Sequence, residues 1–98
     1  MEINQVKNGN QLTFQLVGRL DTTTAPELEE VLKTALNQVE SLVFDFSGIE
    51  YISSAGLRIL LSAQKVMNKQ GKMVIQNVND LVKEVFDMTG FSDILTLE

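Results

Sequence analysis

The chain has 98 residues, of which 44% are apolar, and its 13 acidic and 8 basic side chains give a net charge of −5. It contains no His and no Cys, which excludes a Ser-His-Asp or Cys-His catalytic system, a zinc site built on imidazole or thiolate, and a disulfide. The few, scattered basic residues argue against nucleic-acid binding. Because the first residues do not resemble a signal peptide and no apolar run is long enough to span a membrane, we expect one cytoplasmic domain over residues 1–98.

The first half of the chain predicts a β-hairpin followed by an amphipathic helix. The segments 3–7 and 12–16 flank Asn8-Gly9-Asn10, and an Asn-Gly pair provides the positive φ angles of a tight turn. After the threonines at 22–24, one of which can cap a helix, Pro26 is suited to a first helical turn. Apolar residues then recur at helical spacing, at Leu28, Val31, Leu32, Ala35, Leu36 and Val39.

The middle of the chain predicts a buried strand, a loop and a second helix. Residues 42–46 form a mostly apolar run without alternation, which favours a strand covered on both faces. Ser47-Gly48 is expected to begin a loop that continues to Ser53-Ser54. A helical pattern then extends from Ala55 to Gln70, and Gly71 is its expected C-terminal cap.

The last third adds a strand at 73–75 and a third helix, capped by Asn79 or Asp80 and ended by Gly90. Ile94-Leu95 is compatible with a last short edge strand. The order β-β-α-β-α-β-α-(β) predicts an α/β protein, with a β-hairpin followed by alternating α/β units and a mixed sheet with helices packed on it.

Two consecutive hydroxyls, Ser53 and Ser54, lie where the predicted loop becomes the second helix. One interpretation is that a serine simply caps the helix through its side-chain oxygen. The other is a phosphorylation site, because free N–H groups at a helix N-terminus tolerate a phosphate and Gly56 lets another backbone approach closely. The two interpretations are compatible.

Asp21 and Asp45 each follow or end a predicted strand, so they could lie near the loop before Ser54. The first interpretation is that both are turn or cap carboxylates. The enzymatic alternative is a two-aspartate magnesium site in a phosphohydrolase or nucleotidase. Because no glycine-rich phosphate loop or nucleophile elbow accompanies them, we expect no enzyme, no metal and no cofactor.

Three segments together resemble the STAS domain family over essentially the whole chain. They are Leu16-Val17-Gly18-Arg19-Leu20-Asp21, Leu42-Val43-Phe44-Asp45-Phe46-Ser47-Gly48 and Tyr51-Ile52-Ser53-Ser54-Ala55-Gly56-Leu57. Among STAS proteins, a free-standing domain of this length is similar to the bacterial anti-sigma factor antagonists.

The resemblance implies a binding switch rather than an enzyme. Unphosphorylated antagonists of this family bind an anti-sigma factor that is also a serine kinase, which frees the sigma factor for transcription. The kinase then phosphorylates the antagonist and ejects it, and a PP2C-type phosphatase resets the switch. In the family motif the phosphorylated residue lies two places before Gly, a position that is Ser54 here.

The same resemblance assigns further residues. Asp21 matches the acidic residue near the phosphorylated serine, and Asp45 with Ser47 matches the Asp-x-Ser at the end of the central strand. The partner-binding surface is expected to include Asp21, Ser53, Ser54, Gly56 and Arg58.

One residue departs from the family pattern, because Ser53 stands where an acidic residue usually precedes the phosphorylated serine. Ser53 is therefore the second candidate for modification, after Ser54. The departure also leaves open an alternative function, that of an unphosphorylated STAS scaffold in a sensory assembly or a lipid transporter complex.

Overall fold

Four strands form one mixed sheet in the order β1-β2-β3-β4. The computed structural model describes all residues from Met1 to Glu98, with β1 at Glu2–Asn8, β2 at Gln11–Leu20, β3 at Ser41–Ile52 and β4 at Lys72–Gln76. β1 and β2 are the predicted antiparallel hairpin, and Gly9 in its turn has a φ of 64°. β2, β3 and β4 run parallel to one another.

The helices confirm the predicted order of elements: α1 spans Ala25–Ala35, α2 spans Ser54–Gln70 and α3 spans Asp80–Thr89. α2 and its end at Gly71 were predicted to within one residue. α1 ends earlier than its apolar pattern suggested, and Val39 is buried in the connection beyond it. None of these helices combines the length and apolar character that crossing a membrane requires.

Only one face of the sheet is buried, so the prediction that the central strand is covered on both faces was wrong. Along β3, Leu42, Phe44 and Phe46 are buried, whereas Val43 and Asp45 between them are partly exposed. Alternation of this kind places successive side chains on opposite faces of a sheet. The helices therefore pack on one face, and a core of 24 buried residues fills the space between them and the sheet.

β3 continues through the segment predicted as a loop, which corrects the sequence interpretation of Ser47-Gly48. The pairing of β2 with β3 shifts between Gln15 and Val17 and again between Gly18 and Arg19, so β3 holds extra residues as β-bulges. A Cβ on Gly48 would lie 2.9 Å from the Leu16 carbonyl oxygen. Gly48 thus marks a close approach of two strands rather than a turn.

The C-terminal part of the chain consists of α3, a short 3-10 turn and one isolated β-bridge to β4. Asn79 caps α3 as predicted, because its Oδ1 accepts from the Val82 N–H at 2.8 Å, and its Nδ2 donates to the Ile49 carbonyl at 2.9 Å. Beyond Gly90, a short 3-10 turn at Phe91–Asp93 leads to one parallel bridge between Leu97 and Ile75. The last strand pairing therefore lies at Leu97, and the prediction of Ile94-Leu95 was wrong.

Candidate functional site

The candidate site lies where β2 and β3 end together and α2 begins. Leu20 pairs with Ile52 as the last residues of their strands, and the Ser53 N–H donates to the Leu20 carbonyl at 2.9 Å. This bond joins the start of α2 to the segment that leads into Asp21. Residues that are far apart in sequence thereby meet at one edge of the sheet.

Gly56 allows this close packing. A Cβ at this position would lie 2.7 Å from Leu20 Cγ and 2.9 Å from the Leu20 carbonyl oxygen. The backbone that approaches Gly56 is thus the chain's own β2. Gly56 is buried, so its part in a binding surface is to position the first turn of α2 rather than to meet a partner.

Ser53 and Ser54 differ sharply in exposure. Ser53 occupies the N-cap position of α2 with extended backbone, but its side chain makes no capping bond, so the expected cap by this residue is absent. Its Oγ is buried and has no hydrogen-bond partner. Ser54, the first residue of the helix, is exposed.

Asp21 organises the connection between β2 and α1. Its Oδ1 accepts from the Thr23 hydroxyl at 2.7 Å, the Thr23 N–H at 3.0 Å and the Thr24 N–H at 3.2 Å. These bonds, above all the one from the Thr23 hydroxyl, lower the pKa of the Asp21 carboxyl. The carboxylate is therefore ionised at neutral pH and is also the turn carboxylate of the simpler interpretation.

The Thr24 hydroxyl, which was expected to cap α1, instead forms hydrogen bonds in the connection that contains Asp21. Thr24 stands at the N-cap of α1 without capping it. Its Oγ1 accepts from the Asp21 N–H at 2.9 Å and donates to the Arg19 carbonyl at 2.7 Å.

Arg19 and Tyr51 border the site and were not predicted as functional residues. The Arg19 guanidinium carbon lies 5.0 Å from the centre of the Tyr51 ring, and Arg19 Nε lies 3.6 Å from Asp21 Oδ2. The contact with Tyr51 depends on the pairing of Arg19 with Tyr51 across the two strands. Because the bulges in β3 set that pairing, no local pattern in the sequence could have identified it.

Asp45 lies away from this site, which corrects the interpretation that both Asp21 and Asp45 could lie near the loop before Ser54. Asp45 pairs with Gln15 in the middle of β3, five β2 residues before Leu20, which corresponds to about 16 Å along the sheet. The register therefore contradicts a magnesium site shared by the two aspartates. No group of three or more metal-ligating side chains forms elsewhere in the structure.

Asp45 instead connects the middle of β3 to Asn77, the residue that follows β4. Its Oδ1 accepts from the Ser47 N–H and from Asn77 Nδ2, both at 3.0 Å. The bond from Asn77 is the main cause of the lowered pKa of the Asp45 carboxyl, and the Ser47 N–H adds to it. Asp45 therefore has a structural role, because it connects the bulged part of β3 to the residue that follows β4.

The Asp45→Asn variant should be less stable than the wild type at pH 7. Because the pKa of Asp45 is lowered in the folded state, its contribution is present above the ordinary value of about 3.9 and is lost as the pH falls through the folded pKa. We therefore expect the difference in unfolding free energy to close as the pH is lowered below the ordinary carboxyl pKa and through the lower folded pKa of Asp45, as measured by urea denaturation at several pH values. Glu50→Gln, at an exposed position with the same change in net charge, is the control, and an equal effect of both variants at every pH would contradict the assignment.

The exposed part of the site continues along α2 to Arg58, one turn after Ser54. A surface groove of about 640 Å³ lies between α1 and α2, and its apolar lining residues are Leu32, Leu36, Ile59, Ala63 and Val66. None of the predicted site residues lines it. Ser54 is thus an exposed hydroxyl outside this groove, which suits contact with another protein better than enclosure of a small substrate.

Comparison with known proteins places the chain among members of one domain family. The STAS domain family model matches residues 2–98. The chain is 26% identical over 98 residues to the anti-sigma-B factor antagonist of Bacillus subtilis (strain 168), covering 99% of this chain and 90% of that protein. It is 33% identical over 81 residues to the anti-sigma-B factor antagonist of Staphylococcus aureus (strain NCTC 8325 / PS 47), covering 80% of this chain and 74% of that protein.

The fold is shared with the Bacillus anti-sigma factor antagonist SpoIIAA, solved in unphosphorylated and phosphorylated forms. The TM-scores are 0.78 and 0.77, each with 16% identity and 99% of this chain covered, over 87% and 91% of the two SpoIIAA chains. The predicted α/β fold class is thereby confirmed. Anti-sigma factor antagonists are regulatory binding proteins rather than enzymes, which confirms the expectation of a non-enzyme at the level of these relatives.

Proposed function

Because the chain belongs to the STAS domain family, we propose that it is an anti-sigma factor antagonist whose binding is switched off by phosphorylation of Ser54. In the unphosphorylated form it binds an anti-sigma factor that is also a serine kinase, in the cytoplasm, and so frees a sigma factor for transcription. Phosphorylation releases the antagonist, and a PP2C-type phosphatase restores it. The names of the two relatives above support the general function.

The different exposure of the two serines carries the proposal. A kinase must bring a hydroxyl within reach of the γ-phosphate of ATP, and Ser54 is exposed on the first turn of α2. The Ser53 Oγ is enclosed by the protein, so phosphorylation there would require the start of the helix to open. This contrast favours Ser54 over Ser53 as the modified residue.

The covalent step takes place in the kinase. The Ser54 oxygen forms a bond to the γ-phosphorus, the bond from that phosphorus to the ADP oxygen breaks, and the hydroxyl proton passes to a base of the kinase. The chain contributes only a reachable hydroxyl on a rigid element. This agrees with a protein that lacks His and Cys.

Charge explains why the phosphate would end binding. The phosphate adds about −1.5 to −2 charges at pH 7 at a surface whose neighbouring Asp21 is already ionised. In a close interface these like charges repel each other and lose hydration. A loss of about 2.8 kcal/mol weakens binding about a hundredfold.

The test uses three variants with an anti-sigma factor of the kinase class from the same organism. With ATP, mass spectrometry should find one phosphate on Ser54 in the wild type and in Ser53→Ala, and none in Ser54→Ala. By calorimetry, Ser54→Ala should bind the kinase like the wild type, whereas Ser54→Asp should bind about a hundredfold more weakly.

Phosphate on neither serine would overturn the proposal, as would equal affinities of Ser54→Ala and Ser54→Asp. If Ser54→Asp also functioned normally and capture experiments recovered transporter or sensor proteins without a kinase, the unphosphorylated scaffold would replace the switch. Ser53→Ala is a suitable control because it removes a buried oxygen that has no partner.

A further inference from the structure

The second helix presents positive charge with no acidic side chain to balance it. α2 contains Arg58, Lys65 and Lys69 but neither Asp nor Glu. All three cations are exposed, and none takes part in an ion pair, since the three ion pairs of the structure involve Arg19, Lys33 and Lys83. In a chain with a net charge of −5, this helix is itself basic.

Arg58 is placed to reach Ser54. The two residues are separated by four positions on one helix, so their side chains share a face about 5–6 Å apart at Cβ. Helical side chains also lean toward the N-terminus and cover the preceding turn. The long Arg58 side chain can therefore reach the turn that carries Ser54.

The other charged groups near Ser54 are already engaged or too distant. Arg19 contacts the Asp21 carboxylate and the Tyr51 ring, and Asp21 accepts bonds from its own turn. Lys65 is eleven residues beyond Ser54 on α2, which is about 16 Å along the helix axis. Arg58 is thus the uncommitted cation within reach of the Ser54 oxygen.

We propose that Arg58 is the intramolecular counter-ion of the phosphate on Ser54, an inference that rests on the proposed function. A guanidinium binds phosphate oxygens through two parallel N–H donors. Phosphorylation then has two effects on the binding surface. It adds a dianion, and it withdraws the Arg58 guanidinium from any carboxylate of the partner. Partner release becomes a local exchange of ion pairs and needs no change of fold.

The test measures the phosphate itself. Phosphoserine is incorporated at position 54 during translation by nonsense suppression, and its second pKa is followed by ³¹P NMR in the wild type, Arg58→Gln and Lys65→Gln. Because Arg58 favours the dianion, Arg58→Gln should raise this pKa by about 0.3, toward the ordinary value near 6. Lys65→Gln, with the same loss of charge, should leave the pKa unchanged at 0.15 M salt, where the Debye length is about 8 Å.

Equal pKa values in all three proteins would overturn the proposal, and so would equal shifts in Arg58→Gln and Lys65→Gln. Both substitutions are at exposed positions of one helix, and matching far-UV circular dichroism confirms that they fold. Since the phosphate is installed without a kinase, the comparison of pKa values can succeed or fail whether or not a kinase modifies Ser54. Failure of that function instead appears as the absence of kinase-dependent phosphate on Ser54.

Discussion

Phe44→Ala is expected to lower the unfolding free energy by about 3–5 kcal/mol. Phe44 is completely buried in the middle of β3, stacked on Phe14 at 5.6 Å between ring centres and edge-on to Phe46 at 6.3 Å. Truncation removes both aromatic contacts and leaves a cavity that the surrounding strands cannot close. The loss is a large part of the 5–15 kcal/mol typical of a domain.

Urea denaturation of the wild type and Phe44→Ala measures this loss. Val43→Ala is the matched control, because Val43 is the adjacent residue on the partly exposed face of the same strand, and it should change stability by less than about 1 kcal/mol. Equal losses in the two variants would mean that the second face of the sheet is as well packed as the first. That outcome would contradict the single buried face of this fold.

Gly56→Ala is expected to lower the unfolding free energy by about 1–2 kcal/mol, and Gly56→Val by about 3 kcal/mol. The new Cβ would lie 2.8 Å from Ile52 Cγ1 as well as 2.7 Å from Leu20 Cγ, and both neighbours are fully buried, so neither can turn away. The better helix propensity of alanine offsets about 1 kcal/mol of the overpacking. Because β2 cannot yield, the first turn of α2 must shift, and Ser54 with it.

Urea denaturation again gives the stability, and the amide resonance of Ser54 reports the shift of the turn. Ser62→Ala is the control, since Ser62 is exposed on the same helix and its substitution should stay within about 0.5 kcal/mol. If both Gly56 variants matched Ser62→Ala, α2 would not be seated against β2 as described. The position of Ser54 would then need another explanation.

The elements whose formation depends on residues close in sequence were the most predictable. The spacing of apolar residues in α2 and the glycine after it located this helix to within one residue, and Asn79 caps α3 as its side-chain chemistry indicated. Capping by hydroxyls was less predictable. Thr24 and Ser53 stand at N-cap positions without capping, because Thr24 bonds to the Asp21 turn and Ser53 points into the protein.

Strand pairing was the main source of error. Ser47-Gly48 has the composition of a turn, yet the neighbouring β2 provides enough pairing to keep β3 extended through it, with bulges that accommodate the extra residues. That pairing places Asp45 far from Asp21 and brings Arg19 onto Tyr51. A shift of one residue in the register would change each of these contacts.

By itself, the sequence determined the kind of chemistry that this protein can perform and most of its local structure. Its lack of His and Cys, its net charge of −5 and the two hydroxyls before Gly56 are properties of composition and order, and the resemblance to the STAS family added the expectation that another protein modifies this surface. Helical periodicity can likewise be recognised from residues that lie within a few helical turns of one another.

Only the tertiary structure decided which of the two hydroxyls is accessible and which charges surround it. Ser53 and Ser54 are chemically identical, yet the Ser53 Oγ is buried whereas Ser54 is exposed, and the Ser53 N–H donates to the Leu20 carbonyl at the sheet edge. The distance of Asp45 from the site depends in the same way on strand register. Exposure and register arise from contacts between distant segments, and no local pattern of side chains encodes them.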